Sequence, residues 1–220
     1  MTWKDITIRK YVELYEVMQR KTKGIKGSYE VLAVLYDKPV EYFDNIPVKL
    51  LTKMLRESKF IYSKPVSKGI PTILKLNGKK YIINVNPSEF IGGQYIDASS
   101  YCKSEETINR NYHNIISLLL SPYSLFSGNK FTKLVKKAKT KDELVVVYDK
   151  INKERNIIAD ELYNHLTMDV VFQLSEYFFL LYQNLTKTTM DCLDKEIARA
   201  KKIVKTSLNT NGMRDIGDGI

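Results

Sequence analysis

Apolar residues recur along this chain with two different periods. Between Thr7 and Gln19 they fall at Ile8, Tyr11, Val12, Tyr15 and Met18, spacings of 3, 1, 3 and 3 that line one face of an α-helix with Thr7 as its N-cap. Gly24 and Gly27 are expected to end this helix, because glycine is the usual residue just past a helix C-terminus. A second short helix is expected to start at Ser28 in "SYEVLAVLYDK", apolar on most sides as a buried helix would be. A third follows in "DNIPVKLLTKMLRES", with Pro47 in its first turn and Val48, Leu51, Met54 and Leu55 facing inward. Residues 1–60 therefore read as a compact three-helix unit.

The period then changes to two. "TILKLNGKKYIINV" carries Asn77-Gly78 between two β-prone runs, the strongest short-range signal for a hairpin. A two-residue turn pairs Leu76 with Lys79, Leu74 with Tyr81 and Thr72 with Ile83. Leu74, Tyr81, Ile83 and Val85 then share a covered face, with Lys75 and Lys80 on the other. An isolated hairpin is marginal in water, so this one must pack on helices or extend a neighbour's sheet.

Helical spacing returns after the hairpin. "NPSEFIGGQYID" reads as a turn through Gly92-Gly93 that leads Tyr95 and Ile96 back beneath the hairpin, with "QYIDASSYC" as a short helix. Ser104 caps a helix whose stripe is Ile108, Tyr112, Ile115, Ile116 and Leu119, and Pro122 stops it. Residues 121–133 are expected to be a long loop. Thr140 and Glu143 form a capping box that opens the next helix. "LTMDVVFQLSEYFFLLY" is the most apolar segment, with one narrow polar stripe at Asp169, Gln173 and Glu176. A last helix carries Met190, Leu193, Ile197, Ala200 and Val204 at spacings of 3, 4, 3 and 4, a two-heptad seam. The tail from Asn209 has no periodicity and is expected to be extended or disordered unless a partner holds it. The fold class is accordingly α+β, mostly α-helical with one β-hairpin around Asn77-Gly78. One domain spans 1–184, and a C-terminal helix and tail occupy 185–220.

Composition narrows the function by exclusion. The start of the chain has no signal-peptide h-region, and no apolar run is long enough to span a membrane, so a cytosolic product without membrane contact is expected. Cys102 and Cys192 stand far apart and read as small buried hydrophobes. His113 and His165 lie on separate helices. Glu161 and His165 are four apart, but a zinc-binding HExxH needs a second histidine. No GxSxG, SxxK, GxGxxG or P-loop pattern occurs, and the Gly92-Gly93 stretch lacks the residues that would follow in a phosphate loop. Neither metal nor cofactor is implied, and catalysis is not expected.

The net charge of +10 allows a polyanionic partner, although the bias toward Lys, Ile, Asn and Tyr is also what an AT-rich genome produces. The charge is densest in "KFTKLVKKAKTK", with six lysines between Lys130 and Lys141. Nucleic-acid platforms usually interleave arginine and aromatics, and this run has Phe131 alone. Lys133, Lys136 and Lys137 are thus candidates for contact with a phosphate backbone or with an acidic protein neighbour. The terminal seam, flanked by Arg199, Lys201, Lys202 and Lys205, either packs on its own domain or is offered to another subunit.

Four stretches carry a resemblance: "TWKDITIRKYVELYEVM", "YEVLAVLYDKPVEYFDNIP", "GKKYIINVNPSEFIGGQYID" and "LTMDVVFQLSEYFFLLY". Over roughly residues 2 to 183 the chain resembles small structural and assembly proteins of tailed bacteriophages, especially crAss-like and related phages of gut Bacteroidetes. Members are described as tail-assembly-chaperone-like proteins or as neck and tail ring proteins. The resemblance implies a non-catalytic virion protein assembled in the host bacterial cytoplasm, with many copies in a ring around the portal–tail axis. Its expected partners are copies of itself, neighbouring portal, ring or tail proteins, and DNA through non-specific contact. Expected subunit contacts are Leu74, Tyr81 and Ile83 on the hairpin and Ile197, Ala200 and Val204 on the last helix. A chaperone absent from the mature virion, or a basic nucleic-acid-binding protein, are the alternatives.

Overall fold

The computed structural model describes residues 1–63, 69, 71–84, 92–124, 128–184 and 186–187. The chain divides into two compact units, Met1–Phe179 and Leu180–Ile220. In the second, residues 180–184 and 186–187 are described, and all are helical. The C-terminal seam with Ile197, Ala200 and Val204 lies outside the described residues, as does the tail.

The first unit is α+β and mostly helical. Its helices are α1 (Ile8–Gln19), α2 (Ile25–Tyr36), α3 (Val48–Glu57), α4 (Gly92–Tyr101), α5 (Glu105–Leu119), α6 (Lys130–Lys137) and α7 (Lys141–His165), followed by helical residues 168–179. The strands are β1 (Ile73–Leu76), β2 (Lys79–Ile83), β3 (Leu120–Ser124) and the two-residue β4 (Gly128–Asn129), in the order β1-β2-β3-β4. At 25 residues, α7 is about 37 Å long at 1.5 Å per residue. It packs against α1, α5, α6 and β1. Its inward positions Ile151, Ile158, Ala159 and Leu162 are buried, as are Ile115, Ile116 and Leu119 of α5.

Thr7 caps α1, accepting from the Lys10 amide at 3.4 Å. It also forms an antiparallel bridge with Thr167. The Ile8 amide donates to the Leu166 carbonyl at 3.0 Å and the Met168 amide to that of Ile6 at 2.7 Å, so two helix starts are joined. Ile6, Ile8, Leu166 and Met168 are all buried there. On the following helix Met168, Val171, Leu174 and Phe178 are buried, and of the expected polar stripe Glu176 is exposed while Asp169 and Gln173 are half-buried.

The hairpin forms in the expected register, with Leu74 opposite Tyr81 and Leu76 opposite Lys79. Asn77 and Gly78 both take positive φ, 47° and 75°, as a two-residue turn of this hand requires. The 121–133 loop expected from the sequence is not what forms. Helix α5 ends at Leu119, three residues before Pro122, and the chain continues directly as β3, pairing Ile83 with Leu120 and Tyr81 with Pro122. The hairpin therefore gains its third strand from its own chain. Five residues, Leu-Ser-Pro-Tyr-Ser, with a proline at their centre carry little local strand signal, and the unpaired edge of β2 supplies what the sequence lacks.

Three local expectations also change. Helix α1 ends at Gln19, and α2 begins at Ile25, with Gly24 (φ 74°) as its N-cap and Gly27 inside it. Val48 is largely exposed, because Pro47 is the N-cap and the first turn of α3 projects past the cluster of Leu32, Phe43, Leu51 and Met54. Gly92 and Gly93 form the first turn of α4 and do not precede it. Ile96 is exposed instead of tucked beneath the sheet, and residues 85–91 lie outside the described residues.

Gly27 shows why a glycine is needed within α2. A Cβ there would stand 2.2 Å from the carbonyl oxygen of Thr22. We expect Gly27→Ala to lose about 1–3 kcal/mol in urea unfolding despite alanine's higher helix propensity, the cost of overpacking against backbone. A neutral or stabilising result would contradict the close approach.

On α7, Glu161 accepts hydrogen bonds from the Tyr81 hydroxyl (2.7 Å) and from the Lys79 ammonium, tying the hairpin to the helix. The bond from Lys79 is the main cause holding the Glu161 carboxyl below its ordinary range. A lowered folded pKa stabilises above the unfolded value and loses that contribution as pH falls through the folded one. Glu161→Gln should therefore be less stable than the parent at pH 7. The difference in urea midpoints should shrink as pH falls below about 4.

Candidate functional site

Helix α6 divides the lysine run by face. Phe131 is buried and Leu134 and Val135 are half-buried, whereas Lys133, Lys136 and Lys137 are exposed. The three candidate lysines thus share one solvated face, as their spacing of 3 and 1 requires. Lys139 and Lys141, just beyond, are exposed as well.

The capping box fixes the corner between α6 and α7. The Thr140 hydroxyl accepts from the Glu143 amide at 3.2 Å. The Glu143 carboxylate accepts from the backbone amides of Lys139 (2.6 Å) and Thr140 (3.3 Å). That carboxylate is committed to its own backbone at a helix N-terminus, where negative charge is favoured.

Beyond the corner, α7 carries a seam: Leu144, Tyr148, Ile151, Arg155, Ile158 and Leu162, at spacings of 4, 3, 4, 3 and 4. From Ile151 onward the seam is buried in the body of the unit. Its N-terminal end is not. Leu144, Val145 and Val146 are three consecutive exposed aliphatics, and Val146 is 68% exposed. Next to them a groove of about 450 Å³ opens between α6 and α7, lined by Leu134, Ala138, Val146 and Val147 with Lys137, Asp142 and Glu143 at its edge.

Beneath α6 lies an unusual buried cation. Arg155 is 4% exposed, and its guanidinium carbon is 5.4 Å from the centre of the Phe131 ring. Among the described residues its Nε and Nη1 have no hydrogen-bond acceptor. Burial pulls its pKa down to about 10, against the raising influence of Tyr148 and Asp97. Those two residues engage each other, the Tyr148 hydroxyl donating to Asp97 Oδ2 at 3.4 Å.

A second concavity, of about 490 Å³, lies between α1, α2 and α3 and presents Lys21, Lys59, Thr22 and Ser58. Two of its hydroxyls are engaged: Thr22 donates to Glu30 and Ser58 to the Leu55 carbonyl. Among the described residues no group of His, Cys, Asp and Glu is arranged to hold a metal ion. No described helix is long and apolar enough to cross a membrane. Cys102 is a half-buried free thiol whose pKa burial pushes up to about 11, the opposite of an activated nucleophile.

The expected contact residues separate accordingly. Leu74, Tyr81 and Ile83, expected at a subunit contact, are core positions that the chain itself buries. The β2 edge that a neighbour was to extend is occupied by β3. Lys133, Lys136 and Lys137 stand together on the surface as expected. Sequence reasoning passed over Leu144, Val145, Val146 and Arg155. The signal was present in "ELVVVYDKINKER", where an arginine falls on an otherwise apolar heptad seam.

Two unmatched guanidinium nitrogens in the core are destabilising in themselves. Arg155→Met, of similar shape and without donors, should match the parent in urea unfolding or exceed it by up to about 2 kcal/mol. Arg155→Ala should lose roughly 2–4 kcal/mol by leaving a cavity under Phe131. A methionine variant as damaged as the alanine one would show that the charge itself holds α6 in place. Comparison with protein-family models, curated proteins and solved structures yields no match, so the functional reading stands on this surface and on the sequence resemblance.

Proposed function

We propose that this chain is a non-catalytic assembly protein of a tailed bacteriophage, a ring or adaptor subunit of the neck or tail that works in several copies around the portal–tail axis. The observation that carries the reading is the α6–α7 surface. A lysine face borders a run of exposed aliphatics and an apolar groove, a combination made for docking and not for turnover. Contiguous exposed apolar residues with a polar rim mark interaction sites, because solvent alone gives no reason to keep them. The phage setting is supplied by the four resembling stretches between residues 2 and 183.

In this reading the folded unit is a rigid presenter. The hairpin and α5 brace one end of α7, and the other end reaches toward a neighbour in the particle. Ring symmetry then repeats one contact around the axis. The seam of Ile197, Ala200 and Val204 is proposed to add a second, helix-to-helix contact between copies.

Quantitative mass spectrometry of purified particles tests the assignment. The chain is expected at a fixed ratio of several copies per portal ring. Its absence from particles, with abundance in the infected cell, would replace the structural reading by that of an assembly chaperone. Val146→Asp should leave thermal stability within about 0.5 kcal/mol, since the site is exposed, while lowering incorporation.

A further inference from the structure

We infer that the concavity between α1, α2 and α3 binds a nucleoside phosphate, free or as one unit of a single strand, with the phosphate on Lys21 and Lys59 and the base on the ring of Tyr62. The inference concerns other elements than the α6–α7 surface and does not depend on the assembly reading.

The lining sets the charge of the ligand. Lys21 and Lys59 line the concavity, and among the described residues no carboxylate side chain joins them there. The nearest acids in sequence are engaged elsewhere. Glu30 accepts from the Thr22 hydroxyl, and Glu57 accepts from Tyr36 and pairs with Lys53. The approach is basic as well: residues 20–26, "RKTKGIK", hold Arg20, Lys21, Lys23 and Lys26 without an acid, and the whole stretch is exposed. A concave surface lined by one sign of charge concentrates the opposite ion.

The backbone at Lys21 separates this site from an ordinary pair of surface lysines. Helix α1 ends at Gln19 with Arg20 as its C-cap, so Lys21 is the first residue beyond the cap, and it takes φ 52°. Glycine adopts that left-handed conformation without steric cost and is the usual residue at this position. A lysine held there, with its side chain in the lining of a cavity, has a use that glycine could not serve.

The rest of the lining selects the other half of the ligand. Tyr62 is 75% exposed, so the ring it brings to the concavity is largely uncovered. Val17, Met18, Val31 and Leu55 add apolar wall. A flat heterocycle fits such surfaces, and base–aromatic stacking accepts any base. The volume of about 490 Å³ falls in the range of small-molecule sites. A duplex keeps its bases stacked inside and offers no free ring to Tyr62. An acidic peptide would satisfy the lysines and leave that ring idle.

Fluorescence anisotropy with labelled oligothymidylate, and titration calorimetry with ADP, test the site on the full chain at low salt. The expected result is saturable binding that weakens as salt rises. Lys21→Gly should weaken it at least about fivefold while leaving the urea midpoint unchanged or higher, because glycine relieves the left-handed backbone. Lys59→Ala should weaken it comparably. Tyr62→Ala should also lose at least about fivefold, whereas Tyr62→Phe should stay within about twofold of the parent, since stacking uses the ring and not the hydroxyl. Competition separates the sources: displacement of the strand by ADP assigns a free nucleotide, and displacement by unlabelled strand alone assigns a strand. Binding of neither probe would overturn the inference. So would inorganic phosphate or polyglutamate competing as well as the nucleotide ligand, or dependence on the lysines without dependence on Tyr62. Binding untouched by Lys21→Gly and Tyr62→Ala but lost on combining Lys133→Glu, Lys136→Glu and Lys137→Glu would overturn it too, by moving the contact to α6.

Discussion

The buried seam of α7 is the constraint on which the rest of the structure depends. Ile151, Ile158, Ala159 and Leu162 fix the helix against α5, and Glu161 on the neighbouring face takes hydrogen bonds from both Lys79 and Tyr81 of the hairpin. The sheet is thereby held to the helix by polar contacts as well as apolar ones. Burying one of these isoleucines or leucines contributes on the order of 2–3 kcal/mol, and several act on a single rigid rod. Without that rod the hairpin would be a marginal two-stranded element, and the Thr7–Thr167 bridge would join two helices with nothing to pack on.

The same rod divides two tasks along its length. From Ile151 to Leu162 it holds the fold, and from Leu144 to Val147 its apolar residues stand exposed or half-exposed beside a lysine-bearing helix. Arg155 sits near the division, buried under Phe131 with two nitrogens unmatched. Both features are in keeping with a helix whose end serves a neighbour, as the assembly role proposes.

Much of the fold was legible because its signals are local. The Asn77-Gly78 turn and the alternation around it set the strand register to the residue. The Thr140–Glu143 box marked the start of α7, and Ser104 that of α5. What escaped was non-local. Strand β3 exists because β2 has an edge to fill, and Gly27 lies within a helix because the Thr22 carbonyl approaches from outside it. Alternation showed which face of the hairpin is apolar, but not whether the cover would come from the same chain or from another. Leu74, Tyr81 and Ile83 proved to be core for that reason. The docking face was legible only in its lysines. That Leu144 to Val146 are uncovered depends on where the surrounding elements stop, which no periodicity records.

Native-state hydrogen exchange along α7 tests the central division most directly, because it reads local and global opening amide by amide. The account predicts a break in protection near Tyr148. The amides of Val145, Val146 and Val147 should exchange by local opening, and those of Ile158, Ala159 and Leu162 only with global unfolding. Protection that continues undiminished from Val145 to Leu162 would contradict it, for the first turns of α7 would then be held by the chain's own fold and have no face left to offer.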